Sequence, residues 1–133
     1  MIQSAVDVKQ IIETTNLFQV VTLRPFRERV SYPAVWIYNI ESTDLKSAST
    51  DKTRYNGPWN IDLQIYSNFD NSKNADDTTD FEESEQLAKA LLKDIMDTFD
   101  FELSAIRYFT ARIAGKDLVT ADISISSFKT LQL

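Results

Sequence analysis

Residues 55–69, YNGPWNIDLQIYSNF, decide the fold. Asn56-Gly57 reads as a turn, and Pro58 suits a first strand position, where no ladder amide is needed. Trp59, Ile61, Leu63 and Ile65 then alternate with Asn60, Asp62 and Gln64, the period of a strand with one apolar and one wet face. Such a strand needs neighbours on its edges and a layer over its apolar face, and the flanking sequence must supply both.

Upstream, LFQVVTLR (17–24) is rich in branched and aromatic residues and ends at Pro25, so it reads as a strand. YPAVWIYNI (32–40) is apolar on both parities from Pro33 to Ile40, with Val35 and Ile37 on one side and Trp36, Tyr38 and Ile40 on the other. A strand of that kind expects cover on both faces. Residues 42–56, STDLKSASTDKTRYN, are small or charged and form a long polar hairpin arm between this strand and the opening one. Loops of such length inside a compact domain commonly bind something or stay disordered. Downstream, SAIRYFTARI (104–113), a turn at Gly115-Lys116 and DLVTADISISSFKTLQL (117–133) predict a closing hairpin. Val119, Ala121, Ile123 and Ile125 alternate there with polar residues, and Phe128 breaks the phase.

The covering layer comes from two helices. Ser4 and Asp7 have capping-box spacing, and Ala5, Val8, Ile11 and Ile12 recur at helical period, predicting a helix over Ala5–Thr14 ended by Thr15-Asn16. A second helix is expected from an Asp80 N-cap to about Thr98, with Glu82, Glu83 and Glu85 near its start and Leu87, Leu91, Ile95 and Phe99 as its apolar stripe. The order α-β-β-β-α-β-β predicts a single α+β domain over residues 1–133. It is a two-layer sandwich of a mainly antiparallel, four- to five-stranded sheet with both helices on one face, burying the Trp59 and Ile123 parities.

Composition narrows function. Across 133 residues there is no cysteine and no histidine, which removes disulfides, thiolate nucleophiles, thiolate-bound metal and the commonest metal ligand and general base. A net charge of −6 opposes binding to the outside of nucleic acid, where clustered Lys and Arg are required. No apolar run approaches the ~20 residues of a membrane-spanning helix. The opening stretch lacks the basic and apolar regions of a signal peptide, so folding is expected in the cytosol.

Candidate chemistry is thin. Asp70, Ser72, Asn74 and Asp76 mimic the start of a calcium loop, but Ala75 and Phe81 stand where that loop needs Gly and Glu. Glu82 with Glu85, and Asp94 with Asp97, could each present two carboxylates to magnesium. A carboxylate-dependent metal enzyme is therefore a second reading, set against that of a solvated helix face. Gly57 and Gly115 are too far apart for a phosphate loop, and Ser47 and Ser49 lie with Lys46 and Lys52 in a polar arm with nothing to desolvate a lysine base. No cofactor, metal or catalytic residue is expected.

Two features point to assembly. Between residues 24 and 54, Arg24, Arg27, Arg29, Lys46, Lys52 and Arg54 outnumber four acids, whereas between 70 and 102 eleven acids face three lysines. A basic arm and an acidic flank suit head-to-tail contact between copies, and the alternative is loops that are merely charged. In addition, Trp36, Tyr38, Tyr66 and Phe128 fall on the sheet face away from the helices. They are left near solvent unless a partner, the arm or the Arg24–Arg29 segment covers them.

YPAVWIYNI, GPWNIDLQIYS, the helix SEQLAKALLKDIM and the closing LVTADISISSFKTL together resemble the phage tail terminator family, with the related tail-completion and neck proteins. The resemblance spans nearly the whole chain and rests on the pattern of elements, since these families carry no catalytic signature. It implies a non-enzymatic virion protein, assembled in the host cytoplasm. Such proteins form a ring, typically of six copies, at the head-proximal end of the tail tube, ending tube polymerisation and joining tail to neck. The implied partners are further copies of the chain, the tail tube protein and the neck or connector proteins, with DNA passing through the lumen without specific binding. A head-completion connector and a soluble adaptor are the alternatives.

Overall fold

The computed structural model describes residues 4–26, 31–67, 77–98, 100–113 and 115–133. Its elements are α1 (Ala5–Thr14), β1 (Val20–Thr22), β2 (Ala34–Ser42), β3 (Lys46–Ser47), β4 (Arg54–Ser67), α2 (Asp77–Met96), β5 (Glu102–Ile113) and β6 (Lys116–Gln132). The strands form one mixed six-stranded sheet in the order β1-β2-β4-β6-β5, with β3 paired to the start of β4. The architecture is α+β as expected, but the sheet is larger than four to five strands and the element order gains a strand in the arm.

β4 and β6 form the centre, antiparallel from Arg54 opposite Gln132 to Ser67 opposite Val119. On one face Trp59, Ile61, Leu63 and Ile65 meet Ala121, Ile123 and Ile125, and the buried sides of both helices close over them: Val8 and Ile12 from α1, Ala88, Leu91, Leu92 and Ile95 from α2. Burying these side chains is the main stabilising term, at roughly 1.5–3 kcal/mol per large apolar side chain. The expected parities and helix layer are therefore the ones observed. Among the described residues no helix is long and apolar enough to cross a membrane.

Local chemistry explains the boundaries. The Ser4 hydroxyl accepts the Asp7 amide at 3.3 Å while the Asp7 carboxylate accepts the Ser4 amide at 3.1 Å, so the capping box fixes the start of α1. Asn16, with φ of 58°, turns the chain just beyond its end. α2 begins at Asp77, which places Asp80 inside the first turn and not at the cap. Acidic residues are favoured there by the positive helix end. It ends at Met96, two residues before the expected Thr98, and Phe99 lies outside the described residues.

Four readings of the strands need correction. Asn56-Gly57 is not a turn: both residues lie within β4, and Gly57 is there because a Cβ would sit 2.9 Å from the Thr43 carbonyl oxygen. Nor does Pro58 start the strand. Its carbonyl accepts from Thr43, so its missing amide faces the corner between β2 and β3, off the β4–β6 ladder. The strand expected over 17–24 shrinks to Val20–Thr22 and runs parallel to β2, a pairing that a tight hairpin cannot join. In β2, a bulge at Tyr38 shifts the register between Ile37 and Asn39, returning Ile40 to the core side opposite Ile61.

Ser84 is fully buried on the core side of α2, and its hydroxyl has no hydrogen-bond partner among the described residues. An unsatisfied buried hydroxyl costs about 1–3 kcal/mol, so Ser84→Ala is expected to stabilise the fold by about 1 kcal/mol. Leu91→Ala, two turns along the same face, should destabilise it by about 3 kcal/mol through lost burial and a cavity. Urea denaturation of the two variants checks both signs.

Candidate assembly surface

β4 and β6 run on past the helix-covered core. Arg54–Gly57 pairs with Lys129–Gln132, and Lys46–Ser47 adds as a third strand opposite Asn56 and Tyr55, so the expected hairpin arm becomes a three-stranded tongue. Its tip is held by its own side chains. The Ser49 hydroxyl donates to Asp51 at 2.7 Å and accepts the amides of Thr53 and Arg54 at 3.2 Å; the Thr53 hydroxyl donates to Asp51 at 2.8 Å. Lys52 occupies the left-handed region at φ of 57°, and the Leu133 amide donates to the Thr53 carbonyl at 2.7 Å. The hydroxyls of Ser49 and then Thr53, with the Thr53 amide, hold the Asp51 carboxyl below the usual carboxylate range.

This scaffold presents three of the expected interface residues together. Lys46, Lys52 and Arg54 are all exposed, and no described carboxylate lies within ion-pairing distance of them. Phe128, 72% exposed, projects at the base of the tongue opposite Pro58. Its break in phase has a simple cause: β6 has left the core, so its alternation no longer answers to burial.

The other expected residues lie elsewhere. Tyr66 is roughly 40 Å along β4 from Arg54, taking 3.3 Å per residue. It is not a surface residue: it is 0% exposed, with the Phe26 ring packed edge-on at 5.4 Å and its hydroxyl donating to Gln64 at 2.6 Å. Burial pushes its phenol up to about 12. The segment that starts at Arg24, itself exposed, thus supplies the ring that covers it; Arg27 and Arg29 lie outside the described residues. Trp36 is half-buried, tilted against Tyr38 with ring centres 5.4 Å apart, and Tyr38 keeps 38% exposure.

No protein-family model matches the chain, and no curated protein matches it.

Between the two ends, the face away from the helices carries a polar lattice that the alternation marked only as wet. Asp122, 7% exposed, accepts from the Tyr38 hydroxyl at 2.7 Å and from Arg107 at 2.7 Å. Asp62 accepts from Asn39 at 2.8 Å and from Ser124 at 2.6 Å. Burial first, and then the bond to Asp122, pushes the Tyr38 phenol strongly upward, so it stays a neutral donor. Both carboxylates have partners on each oxygen, which makes this lattice a brace across β2, β4, β6 and β5. Cross-strand register, not residue type, brings these groups together, and strand order is what a single sequence does not give.

The carboxylate pairs considered for metal are exposed: Glu82 and Glu85 on α2, Asp94 at its end and Asp97 just beyond. Among the described residues no three His, Cys, Asp or Glu side chains converge to hold an ion. The calcium-like stretch Asp70–Asp76 lies outside the described residues.

Because the bonds to Asp51 favour its ionised form, the order of the tip is fully supported above the ordinary carboxylate pKa of about 4 and is lost as pH falls below it. The Thr53 and Arg54 amides should therefore exchange faster at pH 3 than intrinsic chemistry accounts for, and Asp51→Ala should reproduce that loss of protection at neutral pH. Hydrogen exchange resolved at these two amides is the check.

Proposed function

We propose that this chain is a structural subunit that closes into a ring, of the kind that ends a phage tail tube at its head-proximal side and joins tail to neck. The observation that carries the proposal is the tongue. It is a pre-ordered β element projecting beyond the core, tipped by three cations without carboxylate partners in the described part of their own chain, on a molecule whose net charge is −6. Ordering the tip before contact removes much of the entropic cost of association, which is what an assembly element needs. The resemblance of the element pattern to tail terminators supplies the biological setting, and the acidic total keeps DNA from adhering to a lumen through which it slides.

The partners that follow are further copies of the chain, a tail tube protein and a neck or connector protein. A head-completion connector shares the same surfaces, and the ring would serve it equally. No catalytic role is proposed, since the polar groups that do converge, around Asp62 and Asp122, are committed to bracing the sheet.

Light scattering on a size-exclusion column, over a protein and salt series, tests this reading. The expected result is a closed species several times the 15.2 kDa of one chain that loosens as salt rises. Lys46→Glu, Lys52→Glu and Arg54→Glu together should lower the assembled fraction at least tenfold in low salt without changing the fold. Ring formation by that triple variant at parental concentration would remove the tongue from the assignment.

A further inference from the structure

A cleft of about 620 Å³ opens where the tongue leaves the body, between Pro58 and Phe128 on one side and Asp100, Phe101 and Glu102, the link from α2 into β5, on the other. Its origin is a mismatch of strand lengths. β5 begins at Glu102, opposite Ser126, whereas β6 continues beside β4 to Gln132. The Ser127 hydroxyl donates to the Asp100 carbonyl at 2.6 Å, and beyond that point no described strand pairs with β6 on its β5 side. The cleft therefore combines an open strand edge from Phe128 to Gln132, an exposed aromatic ring, and the exposed side chains of Asp100 and Glu102. Asp94, near the end of α2, and Asp97, just beyond it, are exposed in the sequence that leads into this link, and no described cation lies within ion-pairing distance of any of these four acids.

The tip of the tongue is the chemical complement of this cleft, yet it cannot reach the cleft of its own chain. Arg54 pairs with Gln132 and Pro58 with Phe128, so the ladder holds the tip about 13 Å beyond the cleft, at four residues of 3.3 Å each. A second molecule has no such restraint. We infer that the cleft is the receptor for the tongue tip of a second copy, with Lys46, Lys52 and Arg54 of one chain meeting Asp100 and Glu102 of the next and their aliphatic stems lying over Phe128 and Pro58. The inference deepens the assembly reading and rests on it. Tip and cleft are different surfaces, so the contact is heterologous, and successive copies close into a ring when the rotation between them permits.

The absence of cysteine from the chain allows a direct test. The variants Lys52→Cys and Glu102→Cys, each checked for native circular dichroism, are mixed in equal amounts under mild oxidation. A disulfide-linked pair of chains is expected, and the double variant should give a ladder of linked species ending at the mass of the closed oligomer. The control pair Lys52→Cys with Arg112→Cys, whose exposed second site lies at the far end of β5, should stay unlinked. Charge reversal adds a second readout. Asp100→Lys with Glu102→Lys should lower the assembled fraction at least tenfold, and combining it with the three tip reversals should restore assembly.

Efficient cross-linking together with charge-swap rescue supports the contact. An assembled parent whose cysteine pair stays unlinked, and whose acid-reversed variant assembles normally, overturns the cleft while leaving a ring intact. A parent that is monomeric throughout, with no cross-linked product, overturns both the cleft and the ring.

Discussion

The unbroken ladder between β4 and β6 is the constraint on which the rest of the molecule depends. Fourteen residues of β4 pair in continuous register, from Arg54 opposite Gln132 to Ser67 opposite Val119. In the half of the ladder under the helices, a slip of one residue would turn Ile61, Leu63, Ile65, Ile123 and Ile125 out of the core and bring Asp62 and Asp122 into it, so burial excludes every odd shift of register. In the other half there is no core, and nothing local would specify how Arg54–Gly57 and Lys129–Gln132 should meet. The tongue takes its geometry from the buried half of the same two strands.

The polar lattice away from the helices reinforces that register at a different level. A carboxylate as buried as Asp122 is tolerated because a phenol and a guanidinium satisfy it, and those partners come from β2 and β5, on either side of the central pair. Asp62 does the same with Asn39 and Ser124. Each group would be left unsatisfied by a shift of any neighbouring strand. The polar face thus discriminates against alternative pairings that an apolar face would accept, while adding little net stability of its own.

Much of this was legible in the residues. The capping box at Ser4–Asp7, the helix face through Leu91 and Ile95, and the alternations around Trp59 and Ile123 are local patterns, and local physics decides them. What the sequence hid depends on groups distant along the chain. Ile40 faces the core because a bulge at Tyr38 reverses its parity, which no periodicity displays. Tyr66 reads as surface on its strand and is buried because Phe26 folds across it. Asn56-Gly57 carries a turn signature, yet the glycine serves the close approach of Thr43. At the candidate assembly surface, the charge imbalance between arm and flank was visible as composition, while the convergence of Asp100, Glu102 and Phe128 into one cleft required knowing where β5 stops.

The two free edges on the β5 side of the sheet, β5 itself and the end of β6 beyond it, are guarded differently. β5 is a twelve-residue edge strand, long enough to invite pairing with any exposed strand. It is guarded by a bulge between Leu103 and Ala105 and by the exposed guanidiniums of Arg107 and Arg112, both features that discourage uncontrolled addition. The free edge of β6 from Phe128 to Gln132 has no bulge, and its only cation, Lys129, turns toward the core, its ammonium 4.5 Å from the centre of the Trp59 ring. In the proposed ring, association is thereby steered from the longer of these edges to the shorter one. There, in the proposed contact, the acidic side chains of Asp100 and Glu102 favour a basic strand end, and the tongue tip presents one. A contact selected by charge in this way is reversible and responsive to salt, which in the proposed assembly would let misplaced copies leave before a ring closes.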